Sequence, residues 1–504
     1  MRSKKAIFNI ISDLILQIVI VVYGFVVPKI IISKFGSNVN GLISSITQFL
    51  AYITLLESGF GPVVKAVLYK PIAEKDNKTI KNILKTAEKF FRTIALIFII
   101  YIIVLTIIYP ILVNNEFGKL YTISLILIIS ISTFAEYFFG MTYRLFLQAD
   151  QKNYVISVIQ IITYILSTIF IVVLAKLNCS IQIIKLVSGL FFVFRPLLQN
   201  YYVKKKYNID LNDAEDRFEL KQKWDGLAQH IAAVIHSNTD VTILTFFCSL
   251  AEVSVYSVYS LVVSGIKKII LAFSSGIDAS WGDMIAKDEY DNLNRKFNLY
   301  EILYFSICTI IFSCAMVLIV PFVSVYTKGI TDVDYIRYLF GYLIVISEYI
   351  WAIRLPYSSI TLAAGHFKET RKGAWIEAFV NIIISIILVK KFGIIGVTIG
   401  TIVAMLIRTI EFVYHTNKYI LKRNILDNVK KIFIVIIETV VIFALFRITP
   451  QLQNTSYVNW GINAIVTTIE ASLVTIIING VVYRKNMKEV IESIRNVASR
   501  RREK

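Results

Sequence analysis

Charged residues are scarce in this sequence of 504 residues. Only 17% are Asp, Glu, Lys or Arg, whereas 56% are hydrophobic and the mean hydropathy is +0.68. Soluble globular proteins carry about 25% charged residues, so the composition excludes an ordinary soluble protein. The apolar residues come in repeated segments of about 20, the length that crosses a bilayer as an α-helix. The composition therefore predicts an all-α polytopic membrane protein.

Several motifs that carry chemistry are absent from the sequence. There is no GxxxxGK[ST] loop, so the chain does not hydrolyse ATP by itself, and there is no HExxH or CxxC. The cysteines lie in or beside apolar segments without metal-type spacing, as buried small residues do. The loops on the predicted outer side are too short for a catalytic domain. We therefore expect no cofactor, no metal and no enzymatic activity. The four cysteines are Cys179, Cys248, Cys308 and Cys314.

Apolar runs predict about fourteen transmembrane spans. The first follows MRSKK and resembles a signal peptide, but it is too long and contains Asp13, so we interpret it as a retained span. The seventh span is unusually polar, and we expect it to face protein more than lipid. The predicted spans are 7–27, 42–64, 91–113, 120–143, 154–175, 180–200, 226–248, 254–277, 302–326, 335–360, 374–390, 394–415, 430–449 and 460–483.

The net charge of +19 is distributed unevenly along the chain. With the N-terminus inside, 38 of the 53 Lys and Arg residues fall in cytoplasmic segments, 8 in outer loops and 7 within spans. This bias obeys the positive-inside rule and predicts that both termini are cytoplasmic, in a plasma or inner membrane. The basic residues then contact anionic membrane lipids at the inner leaflet, and they do not indicate nucleic acid.

The sequence contains a weak internal repeat. Four pairs of residues recur at offsets between 211 and 217, which predicts a duplicated bundle of parallel repeats. We expect a six-helix lobe at 1–203, a cytoplasmic linker at 204–225, and a second six-helix lobe at 226–420. Two extra helices and a basic tail follow at 421–504. The repeated pairs are Glu136 with Glu348, Arg195 with Arg408, Pro110 with Pro321, and Ser58-Gly59 with Ser275-Gly276.

Cations inside spans are costly, at about 2.5–3.5 kcal/mol each on insertion scales, so each requires a reason. We hypothesise that they form a path for an anionic diphosphate, since the planar guanidinium of arginine makes paired, charge-assisted bonds with phosphate. Two of these residues, Lys267 and Lys268, lie near the middle of the eighth predicted span. Snorkelling to headgroups, and pairing with Glu136, Glu348 or Glu377, are the structural alternatives. The proposed binding residues are Lys267, Lys268, Arg195, Arg354, Arg408 and Lys185.

Acidic residues inside spans have two interpretations. They either couple transport to H⁺ or Na⁺, or they only balance nearby cations. The residues concerned are Glu136, Glu348, Asp240 and Asp13. A different element lies at the end of the second span, where Gly59, Gly61 and Pro62 predict a hinge or a helix end.

Three segments carry a resemblance to a known family: LLESGFGP, IHSNTDVTILTFF with VSVYSVYSLVVSGI, and EAFVNIIISIILVKKFGIIGVTIGTIVAMLIR. The chain resembles polysaccharide flippases of the Wzx type and the teichoic acid flippases. These belong to the multidrug/oligosaccharidyl-lipid/polysaccharide exporter superfamily. The resemblance implies two six-helix lobes in a V shape, as in the MATE exporters. It also implies transport of undecaprenyl-diphosphate-linked oligosaccharide, a capsule, O-antigen-like or teichoic acid precursor, from the inner to the outer leaflet.

Two other functions remain open at this point. An ion-coupled exporter of drugs or organic cations would have the same fold, but its cavity should be anionic or aromatic and not rich in lysine and arginine. A membrane-embedded glycan polymerase or ligase is the third possibility, and the short outer loops oppose it.

Overall fold

The computed structural model describes residues 2–57, 59–113, 116–209, 211, 227–274, 277–453 and 456–489. These residues form α-helices with no β-strand among them. Because hydrocarbon offers no hydrogen-bond partner, a spanning segment must satisfy its backbone internally, and a helix does so within one segment. The expectation of an all-α membrane fold is confirmed.

Contacts divide the chain into two compact units. Unit 1 comprises Met1–Ser257 with Ile330–Val333, and unit 2 comprises Val258–Gly329 with Asp334–Lys504. The lobe limits and the linker at 204–225 remain predictions, because residues 210 and 212–225 lie outside the described part of the chain.

The helices of unit 1 include both long spans and short pieces. A π-helical turn, Glu136–Gly140, separates α6 from α7. The helices are α1 (Arg2–Phe35), α2 (Ser37–Ala51), α3 (Thr54–Glu57), α4 (Phe60–Glu74), α5 (Asn77–Leu112), α6 (Lys119–Ala135), α7 (Met141–Ala149), α8 (Asn153–Lys176), α9 (Ile181–Tyr207) and α10 (Leu227–Phe247).

The eleventh helix, α11 (Leu250–Ser274), belongs to unit 1 up to Ser257 and to unit 2 from Val258 onward. A second π-helical segment, Thr416–Leu421, follows α16. The remaining helices of unit 2 are α12 (Asp278–Ala286), α13 (Tyr290–Tyr326), α14 (Tyr338–Ala363), α15 (Arg371–Phe392), α16 (Ile394–His415), α17 (Leu426–Ile448) and α18 (Tyr457–Val482).

In the described part of the chain, each of the fourteen expected spans overlaps at least one helix. Within the described residues, twelve helical segments are long and apolar enough to cross a membrane. The expected spans at 226–248 and 430–449 correspond to α10 and α17, which are not among those twelve. The last 18 residues of α17 contain three charged residues, Lys431, Glu438 and Arg447. This is more charge than an ordinary transmembrane span of that length carries.

The second expected span, 42–64, is not one continuous helix. The helix α2 ends at Ala51, α3 is a single turn, and α4 begins at Phe60. Gly59 precedes α4 with a φ of 81°, a left-handed conformation that glycine adopts without strain. The break therefore follows from the glycine-rich LLESGFGP sequence.

The polar face of α10 is buried within unit 1, as expected for the seventh span. Asn238, Thr239 and Asp240 are all buried. Gln48 on α2 donates a hydrogen bond to Asn238, and Tyr52 pairs with Thr242 at 2.9 Å. A polar helix is thus stabilised by polar partners on a neighbouring helix and not by lipid.

The helix starts reveal the internal repeat more sharply than the residue pairs do. The starts of α2 and α11 (250 − 37), of α5 and α13 (290 − 77), and of α9 and α16 (394 − 181) are each 213 residues apart. In α5 and α13 a proline, Pro110 or Pro321, lies near the C-terminal end. The order of helices therefore repeats once along the chain, and α17 and α18 follow the second copy.

Candidate functional site

Arg354 and Arg408 belong to one charged network in unit 2. Arg354 on α14 donates to Glu377 on α15 at 2.6 Å, and the Nε of Arg408 lies 3.6 Å from the same carboxylate. Arg408 also pairs with Glu411 and donates to the carbonyl of Thr370 at 2.7 Å. Its side chain is only 3% exposed. Two cations and two acids thus balance one another where water is excluded.

Arg195 on α9 has different surroundings in unit 1. Its Nε donates to the hydroxyl of Thr163 at 2.7 Å. Its guanidinium lies over the rings of Tyr164 and Phe192, with the Cζ 4.1 and 4.0 Å from the ring centroids. Tyr23 on α1 packs against Tyr164 at 4.9 Å between centroids and completes an aromatic wall. Among the described residues, the buried Nη2 of Arg195 has no hydrogen-bond partner.

Lys267 forms an ion pair with one of the predicted acids. Its Nζ lies 2.8 Å from Glu348 and 4.3 Å from the ring centroid of Trp351, both on α14. Lys268 is exposed. Both lysines lie closer to a helix end than expected, since α11 stops at Ser274, seven residues beyond Lys267. The depth of the two lysines in the membrane remains a prediction.

The helices that contain Arg195 and Arg408 are longer than the expected spans. The helix α9 extends to Tyr207 and the helical segment containing Arg408 extends to Leu421, beyond the expected ends at 200 and 415. Arg195 and Arg408 consequently lie near the middle of these helical segments. Lys185 lies only four residues after the start of α9, a position from which a lysine reaches the membrane surface.

The predicted coupling acids are dispersed. Glu136 pairs with Arg144, and Glu348 pairs with Lys267. Asp240 is buried and accepts a 2.8 Å hydrogen bond from Tyr256.

Asp13 on α1 accepts two hydrogen bonds from the amide of Asn153, at 2.8 and 2.9 Å, and one from Ser157. Its contacts are those of a structural link between α1 and α8.

The predicted hinge is held by a hydrogen bond close to the helix break. Glu57 ends α3, and its carboxylate accepts a 3.0 Å hydrogen bond from Tyr137 in the π-helical turn. Gly61 lies where an added Cβ would be 3.5 Å from Leu145, so α4 packs closely on α7 there. The helix break and the π-helical turn of unit 1 are therefore in contact.

A second charged cluster lies in unit 2 and was not expected from the sequence. Glu301 on α13 is fully buried and accepts hydrogen bonds from Arg423 at 2.9 and 3.0 Å. It also binds Lys431, Asn428 and Tyr357. The prediction missed it because Glu301 precedes the expected span at 302–326, whereas α13 already begins at Tyr290. The cluster joins α17 to the second copy of the repeat.

Unit 1 has a large groove between the start of α8 and the end of α9. Its volume is about 590 Å³ and its lining is almost wholly apolar. Val155, Val158 and Leu198 line it, and so do Lys205 and Lys206.

Comparisons with solved structures show which known proteins share the fold of this chain. No family model and no curated protein matches the sequence. Among solved structures, the lipid II flippase MurJ in an inward closed conformation has a TM-score of 0.69 and 16% identity, covering 95% of this chain and 100% of that one. This chain and MurJ therefore share a fold.

Multidrug transporters share the same fold. An inward-facing multidrug resistance MATE family transporter of the MOP superfamily has a TM-score of 0.61 and 14% identity, over 81% of this chain and 98% of that one. The MATE multidrug transporter DinF-BH has a TM-score of 0.55 and 13% identity, over 81% of this chain and 94% of that one. At these identities the likeness shows the fold alone.

Proposed function

We propose that this protein is a flippase of the plasma or inner membrane, with both termini in the cytoplasm. Its cargo is an undecaprenyl-diphosphate-linked oligosaccharide, a precursor of capsule, O-antigen-like polysaccharide or teichoic acid. Transport runs from the inner to the outer leaflet by alternating access. A sugar diphosphate head cannot cross hydrocarbon, whereas its lipid tail need not leave it, so the carrier must supply polar and cationic groups inside the membrane.

The environment of Arg195 is the observation that carries this proposal. The Arg195 guanidinium is held by Thr163 and by aromatic rings, and its Nη2 has no hydrogen-bond partner in the described part of the chain. This Nη2 can therefore donate a hydrogen bond to a phosphate oxygen. An organic-cation exporter has no use for such a group, because a cationic substrate is repelled by it.

The groove beside α8 and α9 supports a lipid cargo. Its volume of about 590 Å³ lies within the 300–1,000 Å³ that is typical of ligand sites. Its largely apolar lining suits a hydrocarbon tail, and the two lysines in that lining, Lys205 and Lys206, suit an anionic head. The solved flippase also covers more of this chain than the multidrug transporters do, 95% against 81%.

The membrane potential can supply part of the driving force. A diphosphate head carries roughly two negative charges. Because the inside of the cell is negative, moving each of these charges outward is favoured by about 2.3 kcal/mol per 100 mV. Glu348, Glu136, Asp240 or Asp13 could carry a coupled H⁺ or Na⁺. Of these, Glu348 forms an ion pair with Lys267. An arriving diphosphate would compete with Glu348 for Lys267.

Reconstitution tests the proposal against the multidrug alternative. Purified protein in vesicles should expose an undecaprenyl-diphosphate-linked oligosaccharide at the opposite leaflet, and Arg195→Ala should slow this about ten- to a hundredfold. Lys176→Ala, an exposed cation at the end of α8, is the matched control and should leave the rate unchanged. Efflux of an organic cation without lipid transport would favour the exporter instead. In cells, deletion should enlarge the lipid-linked pool.

A further inference from the structure

Glu438 is a carboxyl group at the middle of a helix that lies outside the repeat. It is 12 residues from the start of α17 at Leu426 and 10 from its end at Ile448. Its side chain is 1% exposed. A charged group at this depth is expensive, so its retention calls for a function.

No cation neutralises Glu438 within the described residues. The only other buried charge on this face of α17 is Lys431, two turns earlier, and it is bound to Glu301 and to Asn298 at 2.6 Å. One oxygen of Glu438, Oε1, is buried without a hydrogen-bond partner in the described part of unit 2.

The remaining neighbours are neutral. From α13, Thr309 lies near the Glu438 carboxyl. From α14, Tyr349 donates to that same Thr309 hydroxyl at 2.7 Å. From the end of α18, Tyr483 faces the carboxyl. Apart from Lys431, which is bound to Glu301, these neighbours of Glu438 carry hydroxyl groups and no charge.

A small cavity lies beside Glu438. Its volume is about 10 Å³, enough for about one water molecule. Glu438 lines it together with Lys431, Tyr483, Ser306 and Asn479. Lys431 lies near the start of α17 and Tyr483 directly follows α18, so the cavity lies on the side of Glu438 that the charge bias predicts to be cytoplasmic.

These features distinguish a proton from a metal ion as the ligand. A carboxylate buried without a cation is unstable and is neutralised by taking up a proton. The cavity is too small for a hydrated ion, and the described residues contain no group of three His, Cys, Asp or Glu side chains that could hold a metal. We propose that Glu438 is a reversible proton-binding site, reached through this cavity from the cytoplasmic side. The proposal does not depend on the cargo.

Carbodiimide labelling tests the site on the full-length protein. Dicyclohexylcarbodiimide reacts with protonated carboxyl groups in apolar surroundings, and peptide mass spectrometry locates the adduct. Glu438 should be labelled at pH 5.5, with at least a tenfold loss of labelling by pH 9. Glu301 is the matched control: it is equally buried but bound by Arg423 and Lys431, so it should remain unlabelled throughout.

Infrared spectroscopy gives a second readout that needs no reagent. A protonated-carboxyl band should appear and disappear over the same pH range in the unmodified protein, and Glu438→Gln should remove it. Because the labelling profile belongs to the unmodified chain, the test survives if the variant fails to fold. Labelling of Glu438 that is constant from pH 5 to 9 would overturn the proposal. So would protection by Na⁺ at constant pH, which would indicate a sodium site.

Discussion

Arg195 in unit 1 and Arg408 in unit 2 occupy the same register of equivalent helices, each 14 residues after the helix start (195 − 181 and 408 − 394). Their partners differ. Arg408 is bound by Glu377 and Glu411, whereas Arg195 lies among Thr163, Tyr164 and Phe192. The duplicated backbone is therefore kept while the charges around it have diverged.

The same contrast holds for the charged clusters near the helix ends. In unit 2, Glu301 is fully buried between Arg423 and Lys431. In unit 1, Asp150 binds Lys152 at 2.8 Å and Lys5 at 3.5 Å, with 14% of its side chain exposed. Both acids are neutralised by two cations, but Glu301 is completely buried whereas Asp150 remains partly accessible. We infer that a given charge deletion will affect the stability of unit 2 more than that of unit 1.

The largest effect is expected for Glu301→Ala. The change leaves Arg423 and Lys431 without their shared acid in a buried site, which costs about 3–5 kcal/mol. Thermal unfolding in detergent should show a large drop in melting temperature. Asp150→Ala is the counterpart in unit 1 and should lower it much less. Equal losses in the two variants would show that the two clusters do not differ in the way described.

Arg408→Ala should come next. It leaves Glu411 unpaired beside a buried site and should lower unfolding stability by about 2–4 kcal/mol. The double change Arg408→Gln with Glu411→Gln keeps the Arg354–Glu377 pair and removes one charge of each sign, so it should recover most of the stability. If the stable double variant still fails to transport, Arg408 binds cargo as well as balancing acids. Full recovery of transport would leave it a structural role only.

Arg195→Ala should have the opposite profile. Since no acid loses its partner, unfolding stability should change by about 1 kcal/mol or less. Transport should fall about ten- to a hundredfold through the loss of a charge-assisted contact. Arg195→Lys should recover less transport than its charge alone would restore if the cargo is bound bidentately. Transport by the alanine variant at the rate of the unmodified protein would exclude Arg195 from the cargo path.

The smallest expected effect is a pH dependence in unit 1. Burial raises the pKa of Asp150, but hydrogen bonds from Lys152 and Tyr207 and the charges of Lys152 and Lys5 outweigh it, so the pKa lies below its usual range. A depressed carboxyl pKa stabilises the folded state above the unfolded value, about 3.9, and that stabilisation is lost as the pH falls through the folded pKa. The difference in melting temperature between the unmodified protein and Asp150→Asn should therefore shrink between pH 7 and pH 3. A difference that is constant over this range would contradict the assignment.

The residue sequence determined the helices of this protein. A span must satisfy its backbone hydrogen bonds by itself, so its length and apolar composition are local properties that can be read from consecutive residues. The expected spans therefore overlap the helices, including the polar α10 and the charged α17. The glycines of LLESGFGP also predicted a hinge or a helix end in the second span, since the left-handed φ of Gly59 is a local preference.

Only the tertiary structure decided what each charged side chain contacts. Arg354 and Glu377 are 23 residues apart, and Glu301 and Lys431 are 130 apart. Such pairs depend on how helices rotate and pack, which no local pattern specifies. The same holds for the absence of an acid beside Arg195 and of a cation beside Glu438 in the described residues. In the sequence, Arg195 and Glu438 look no different from charged residues that have a partner. Only the side chains on the neighbouring helices show whether such a charge is neutralised within the protein.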